Sequence, residues 1–262
     1  MHIITFFAPK GRAGRTISTI TAAMALVEAG QRVHVLDLSD PRISERVPLP
    51  GNRTGYSSGL VAWGLHMKDA GIGEDRLRVK HVADYIGLAA GIADASMGGA
   101  DVVLIDTPSR ADDLTLAALH QSSLAVIPAT DALDAALIFD AIAEHYMPIL
   151  PSFCGLVTSA RSSDEADLIK KVFFGWRMLD AVLPRNTCFP DQYHGELLFG
   201  GKDRDGPAGI AQQAGRAFGQ ELLTVAEGKV PGKTYTEDDD MPEGTALEYL
   251  RDLSKQNPHI WQ

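Results

Sequence analysis

Apolar positions along the chain switch repeatedly between two periods. His2 to Ala8 is a short β-rich run, a glycine-containing loop follows, and Ile17 to Ala29 carries helical apolar spacing that stops at Gly30. Arg32 to Leu38 then brings Val33, Val35 and Leu36 into a run that predicts a buried strand, closing on Asp37, Ser39 and Asp40. Strand, loop, helix and strand together take about 40 residues, close to the usual size of a βαβ unit. Further buried strands are predicted at 101–106 (DVVLID), 123–128 (SLAVIP) and 153–158 (FCGLVT), with helical patterns between them. This alternation predicts an α/β fold: a doubly wound, mostly parallel sheet flanked by helices, with sites at the carboxyl ends of its strands.

Two stretches break the alternation. Pro48 to Gly59 is rich in Gly, Pro and polar residues and is predicted to be a surface loop. From Gly228 onward, Pro231, Gly232 and the run Glu237 to Asp240 predict a solvated acidic linker, and Thr245 to Leu253 one short helix. The chain therefore divides into 1–227, a single α/β domain, and 228–262, linker and C-terminal helix.

Composition narrows the class. With 262 residues, 45% of them hydrophobic, the chain can bury a substantial core. No apolar stretch approaches the roughly 20 residues that span a bilayer. Met1 to Ala8 is too short for a secretion signal and lacks its basic flank, so a cytoplasmic location is expected. Cys154 and Cys188 lie in apolar surroundings without a CxxC partner, which predicts two buried, inert thiols rather than a disulfide or zinc framework. The formal net charge of -10 argues against wholesale attraction to nucleic acid but leaves room for a local basic patch.

The candidate chemistry starts at the first loop. Lys10-Gly11-Arg12-Ala13-Gly14-Arg15-Thr16, running into Ile17, lies between the first strand and the first helix, where backbone N–H groups and the helix amino end can cradle phosphate oxygens. The general phosphate-loop pattern GxxxxGK[ST] is not met, because Pro9 takes the first glycine position and Arg15 the lysine position. On the loop alone, an ordinary Gly-rich turn explains the residues equally well.

An ordered set of segments is more specific. Lys10 to Thr16 resembles the KGGxGKT loop of the ParA/MinD family of P-loop ATPases, which includes VirC-type conjugation proteins and the nitrogenase iron protein. Gly30 to Asp37 is similar to that family's GKRVLLID strand, and Asp101 to Pro108 to its DxxxIDTPP segment. Gly155 to Arg161 resembles the strand carrying the adenine contact, Leu183 to Asn186 the strand end that covers the base, and Gly195 to Leu223 the last loop and helix. The resemblance covers about residues 1 to 225.

The resemblance implies a role for each matching residue. Lys10 is expected to reach across a two-fold dimer to the partner's phosphates, and Lys10 to Ile17 to wrap the phosphates of ATP or ADP. Thr16 is expected to ligate Mg²⁺, with Asp37 and Asp106 holding the ion's water shell, since hard Mg²⁺ prefers oxygen ligands and retains waters. Either aspartate alone also suits a helix cap. Ser159, Pro184 and Arg185 match the base-binding positions, with serine standing where the family has asparagine. The water-orienting carboxylate of the family falls on Ser39 by register, with Asp40 one residue later as the candidate catalytic carboxylate; an Asx-type turn before Pro41 is its bland alternative. Arg15 keeps lysine's charge in a bulkier planar fork, and Arg12 replaces a glycine. ATPase activity weakened or lost through Arg15 and Ser39 is the corresponding expectation.

The function implied is an ATP- and Mg²⁺-dependent dimerising switch that partitions or positions a plasmid, conjugative element or other cargo, with slow hydrolysis. A non-hydrolysing nucleotide-binding adaptor that recruits a protein or DNA partner is the alternative. Lys170, Lys171, Arg177 and Arg216 are candidates for nonspecific DNA contact if a dimer aligns them, and a solvated charged face explains them equally. Thr245 to Leu253 carries Glu248 and Asp252 beside Arg251, which does not suit an anionic membrane.

Overall fold

The computed structural model describes residues 1–39, 47–48, 56–57, 59–108, 111–199, 206–229 and 233–234. Among them are ten strands: β1 (His2–Phe6), β2 (Val33–Asp37), β3 (Val47–Pro48), β4 (Tyr56–Ser57), β5 (Leu77–His81), β6 (Val102–Asp106), β7 (Leu124–Ala129), β8 (Phe153–Ala160), β9 (Arg177–Pro184) and β10 (Lys233–Thr234). The helices are α1 (Arg15–Glu28), α2 (Gly59–Asp69), α3 (Tyr85–Met97), α4 (Asp113–Gln121), α5 (Ala132–Ala141), α6 (Ser163–Val172), α7 (Cys188–Asp191) and α8 (Pro207–Ala226).

Eight strands form one sheet in the order β10-β9-β8-β7-β1-β6-β2-β5. Seven of them run parallel, and β10 pairs antiparallel with β9 at one edge. Parallel strands need helical crossovers, which cover both faces, so the central strands are mostly apolar. Every residue of β6 and β7 is buried. Alternate side chains on β6 reach opposite faces: Val102 and Leu104 join the core under α1, α2 and α8, while Val103 and Ile105 join that under α3 and α4. A third cluster lies under α5 and α6.

Helix α1 is buried from Ser18 to Val27. It lies against α8, where Gly219 permits the approach: a Cβ added there would stand 2.6 Å from the Ala25 Cβ. Burial on this scale fixes the amino end of α1 relative to the strand ends around it.

The strands expected at 2–8, 32–38, 101–106, 123–128 and 153–158 are all present, as β1, β2, β6, β7 and β8, with boundaries shifted by no more than two residues. Helix α1 starts two residues earlier than its apolar period suggested, because Arg15 and Thr16 form a polar first turn. The edge strand β5 escaped the hydrophobic pattern, since only Leu77 of its five residues is fully buried. Within the stretch read as a surface loop, Pro48 and Tyr56 belong to the small β3–β4 ladder. Lys233 and Thr234 return to the main sheet, beyond the 227/228 division suggested by composition. The helix expected at 245–253 and the acidic run before it lie outside the described residues, as does Asp40. Cys154 is buried, and burial pushes its thiol up to about 12. Cys188 is only half-buried, contrary to expectation, because the short helix α7 sits near the surface.

Candidate functional site

The carboxyl ends of β1, β6 and β2 converge on the amino end of α1. Strand β1 lies between β7 and β6, so the loop from Phe7 to Gly14 leaves the sheet where successive connections diverge to opposite sides, the usual place for a ligand in such sheets.

The loop ends on Gly14, the residue before α1, at φ 84°. A Cβ there would stand 2.7 Å from Thr158 Oγ1, so the position excludes a side chain on both conformation and space. Helices α3, α4, α5 and α6 have side-chain caps at their amino ends, from Asp84, Asp112, Asp131 and Ser162 respectively. Helix α1 has no side-chain cap and no acidic residue in its first turn. Its leading N–H groups and partial positive charge are left for an anion.

Beside that amino end stand two carboxylates. Asp37 and Asp106 end adjacent strands and are register partners, so both carboxyl groups arrive at one level. They are 1% and 3% exposed. Asp106 accepts hydrogen bonds from the hydroxyls of Thr16, at 2.8 Å, and Thr19, at 3.2 Å. Asp37 accepts one from the backbone N–H of Ser39 at 2.9 Å, and its Oδ2 is buried without a partner. Burial, reinforced by the charge of Asp37, pushes the Asp106 carboxyl up to about 7, against the opposing pull of Arg15 and the two threonines. Two buried carboxylates with an orphaned oxygen and a hydroxyl beside them form an all-oxygen set short of positive charge, which fits a hard divalent cation. Thr16, Asp37 and Asp106 are the expected metal residues, and the fold brings all three together.

The loop cations are placed differently. Arg15 donates from Nη1 to the carbonyls of Ala8 and Pro108, each at 2.7 Å. Burial lowers the pKa of its guanidinium, partly offset by Asp106. Arg12 is exposed at φ 66°, the left-handed conformation a glycine would adopt without cost. Lys10 pairs with Asp134 of α5, whose second oxygen accepts from Thr130 at 2.7 Å. Asp134 was not anticipated: nothing in its local sequence marks it, and only the fold sets it beside the loop.

At the far end of α1's first turn, a cleft of about 270 Å³ is lined by Thr16, Ile17, Pro190, Tyr193 and His194. The last three come from α7 and the turn after it, and sequence reasoning missed them because this stretch is short, mixed in polarity and without a period. Ser159, Pro184 and Arg185 stand at the ends of β8 and β9 rather than in its lining. Ser159 is exposed at φ 60°, where the β8–β9 register slips between Thr158 and Ala160.

The four cations considered for DNA do not form a free basic face. Lys170 is buried and donates to the Asp180 carbonyl at 3.0 Å, and Arg216 makes a two-pronged ion pair with Glu28 while lying over the Phe199 ring. Lys171 is exposed and Arg177 half-buried. Among the described residues, no helix is long and apolar enough to cross a membrane.

An uncapped helix behind a left-handed glycine, set against two strand-end carboxylates, offers room for an anion beside a cation, in an α/β fold that matches P-loop proteins of the ParA/MinD type. The chain belongs to the family described as ATPase MipZ, whose model matches residues 2–188. Among solved structures it is similar to the MinD cell division protein of Aquifex aeolicus, at 17% identity and a TM-score of 0.61, covering 89% of this chain and 100% of that one. The septum site-determining protein MinD of Pyrococcus horikoshii, solved with Mg-ADP, aligns at 16% identity and a TM-score of 0.58, over 87% and 98% of the two chains. Cobyrinic acid a,c-diamide synthase of Mycobacterium smegmatis, solved with an ATP analogue and magnesium, aligns at 18% identity and a TM-score of 0.52, over 90% and 100%. These identities speak for the fold alone. No curated protein sequence matches the chain significantly.

Proposed function

We propose that the protein binds ATP with Mg²⁺ and works as a dimerising switch that partitions or positions a plasmid, conjugative element or other cargo in the cytoplasm. The observation that carries this is the bond from Thr16 to Asp106 beside the partnerless Asp37 Oδ2 at the bare amino end of α1. The α1 amino end and Gly11 to Thr16 receive the phosphates, and Thr16, Asp37 and Asp106 hold the metal. A Mg²⁺ held there would neutralise phosphate charge. The cleft at Ile17, Pro190, Tyr193 and His194 offers an apolar and aromatic wall for the base.

Lys10 supplies the link to dimerisation. In the single chain its ammonium is held by Asp134, with side-chain exposures of 41% and 11%. Reaching a partner's phosphates exchanges one carboxylate for a more highly charged anion, so the exchange is favourable only when nucleotide is present on the other subunit. Replacing Lys10 with alanine therefore leaves a folded, nucleotide-binding monomer. Light scattering checks this: ATP raises the mass of the parent toward a dimer and leaves Lys10→Ala unchanged, whereas an ATP-dependent dimer of the variant would remove Lys10 from the role.

A second reading, a nucleotide-binding adaptor that recruits a protein partner without hydrolysis, is favoured by Ser39. Its backbone N–H is tied to Asp37, which sets a hydroxyl where the family's water-orienting carboxylate is expected. Hydrolysis in the first reading then falls to Asp40 and is slow.

A further inference from the structure

We infer that Arg15 couples phosphate binding to the position of the segment that follows β6: one nitrogen of its guanidinium holds two chain carbonyls, and the remaining N–H groups receive the phosphate oxygens. The second half rests on the nucleotide function proposed above; the first half stands on geometry alone.

Strands β1 and β6 are paired in register up to Phe6 and Asp106. Beyond that last rung the seam between them is continued by side chains. Thr107 Oγ1 donates to the Phe6 carbonyl at 2.9 Å, and Arg15 Nη1 then bridges the carbonyls of Ala8 and Pro108. The guanidinium therefore clamps the start of the phosphate loop to the chain leaving β6. Four residues past Pro108, Asp112 accepts from the N–H and the hydroxyl of Thr115, each at 2.8 Å, and so starts α4.

One nitrogen makes both bonds. Nη1 carries two hydrogens, which the two carbonyls use, leaving three N–H groups on Nη2 and Nε in the same plane. The residue is half-buried, so its charge is partly withdrawn from water. A cation in that setting gains from a further anion, and the bare amino end of α1, which Arg15 itself begins, is where a phosphate would sit. The planar fork can thus serve chain and ligand at once.

Lysine cannot do both. Its single nitrogen lies about one bond short of Nη1, so an ammonium here can meet a phosphate but does not reach across to both carbonyls. Arginine at this position is then a gain of linkage rather than a damaged lysine.

The test is amide hydrogen exchange from Ala111 to Thr115 in full-length parent, Arg15→Lys and Arg15→Ala, with and without MgATP, alongside MgATP affinity and a circular dichroism check of folding. Without nucleotide, both variants are expected to exchange there roughly tenfold faster than the parent, the loss of a charge-assisted tie. Arg15→Ala should bind MgATP more weakly than Arg15→Lys, because lysine keeps the charge. MgATP should slow exchange in this segment in the parent and have no effect on it in Arg15→Lys. Parent-like exchange of Arg15→Lys without nucleotide would overturn the tie, and MgATP protection of the segment in that variant would overturn the coupling. Should the parent not bind MgATP at all, the coupling falls with the nucleotide function, and the nucleotide-free comparison still decides the tie.

Discussion

The two ends of the α1 amino terminus are built in different ways. At the proposed cation corner, Thr16, Asp37 and Asp106 are delivered by a buried helix and two adjacent strands held in register. By contrast, Ser159 sits on a register slip at positive φ, and Pro190, Tyr193 and His194 come from a four-residue helix and the turn after it. Regular elements fix their side chains through many backbone bonds, so the first corner tolerates little change. Short and irregular pieces fix theirs locally, so the second end can vary without disturbing the sheet. The contrast predicts that substitutions at the cation corner act on both stability and metal dependence, whereas those in the loop and at the bulge act in smaller, separable steps.

The largest effect is expected from Asp106→Asn. Its carboxyl, raised from 3.8 to about 7, binds a proton more tightly in the folded than in the unfolded protein. Its contribution to metal-free stability is therefore fully present at low pH, below its unfolded value, and is lost as pH rises through about 7. Thermal melts in the absence of metal should show the parent losing stability over that window relative to Asp106→Asn, which carries no such proton. The same substitution should weaken Mg²⁺-dependent nucleotide binding by about 10- to 100-fold, the usual consequence of removing a group that orients a metal's bound water. A parallel pH dependence in both proteins would mean that the carboxyl is not held in the environment described.

A smaller effect is expected in the phosphate loop. Arg12 holds φ 66° without hydrogen-bond or ion-pair partners among the described residues. Arg12→Gly should raise stability by about 1 kcal/mol in urea denaturation, since glycine adopts this conformation without the Cβ penalty. A loss of stability would show that the side chain does more than endure its backbone.

The smallest is expected at the bulge. Ser159→Asn puts a carboxamide where the φ is 60°, a conformation asparagine accepts more readily than serine. It should add about 0.5 kcal/mol of stability and shift the preference for ATP over GTP by a few-fold, because a carboxamide offers both donor and acceptor to a base edge. An unchanged ATP-to-GTP ratio would place the base away from the end of β8 and leave it to the cleft at Tyr193 and His194.

The same contrast explains what the sequence revealed. Buried parallel strands are mostly continuous apolar runs, so β1, β2, β6, β7 and β8 could be read directly, and the aspartates that end β2 and β6 came with them. Gly14 was legible because a left-handed turn leading into an amphipathic helix leaves few other residues possible. Edge strand β5, with charged and half-buried residues alternating, has no such run. The pairing of Lys10 with Asp134 joins positions 124 residues apart and has no local signature. Lys170 appeared to be a surface cation because its charge says nothing of the Asp180 carbonyl that its stem reaches. Tyr193 and His194 follow a segment matched to the family only at Leu183 to Asn186, and their place beside Ile17 depends on where α7 packs.

The central claim, that Thr16, Asp37 and Asp106 form a cation corner serving a nucleotide, is tested most directly by calorimetric titration of the full-length protein with ATP in Mg²⁺ and in EDTA. The account predicts binding that is at least about tenfold tighter with Mg²⁺, and a Thr16→Ala variant in which most of that difference is lost while the EDTA affinity is retained. Equal affinity in Mg²⁺ and EDTA, or a Thr16→Ala protein that keeps the full metal effect, would contradict it.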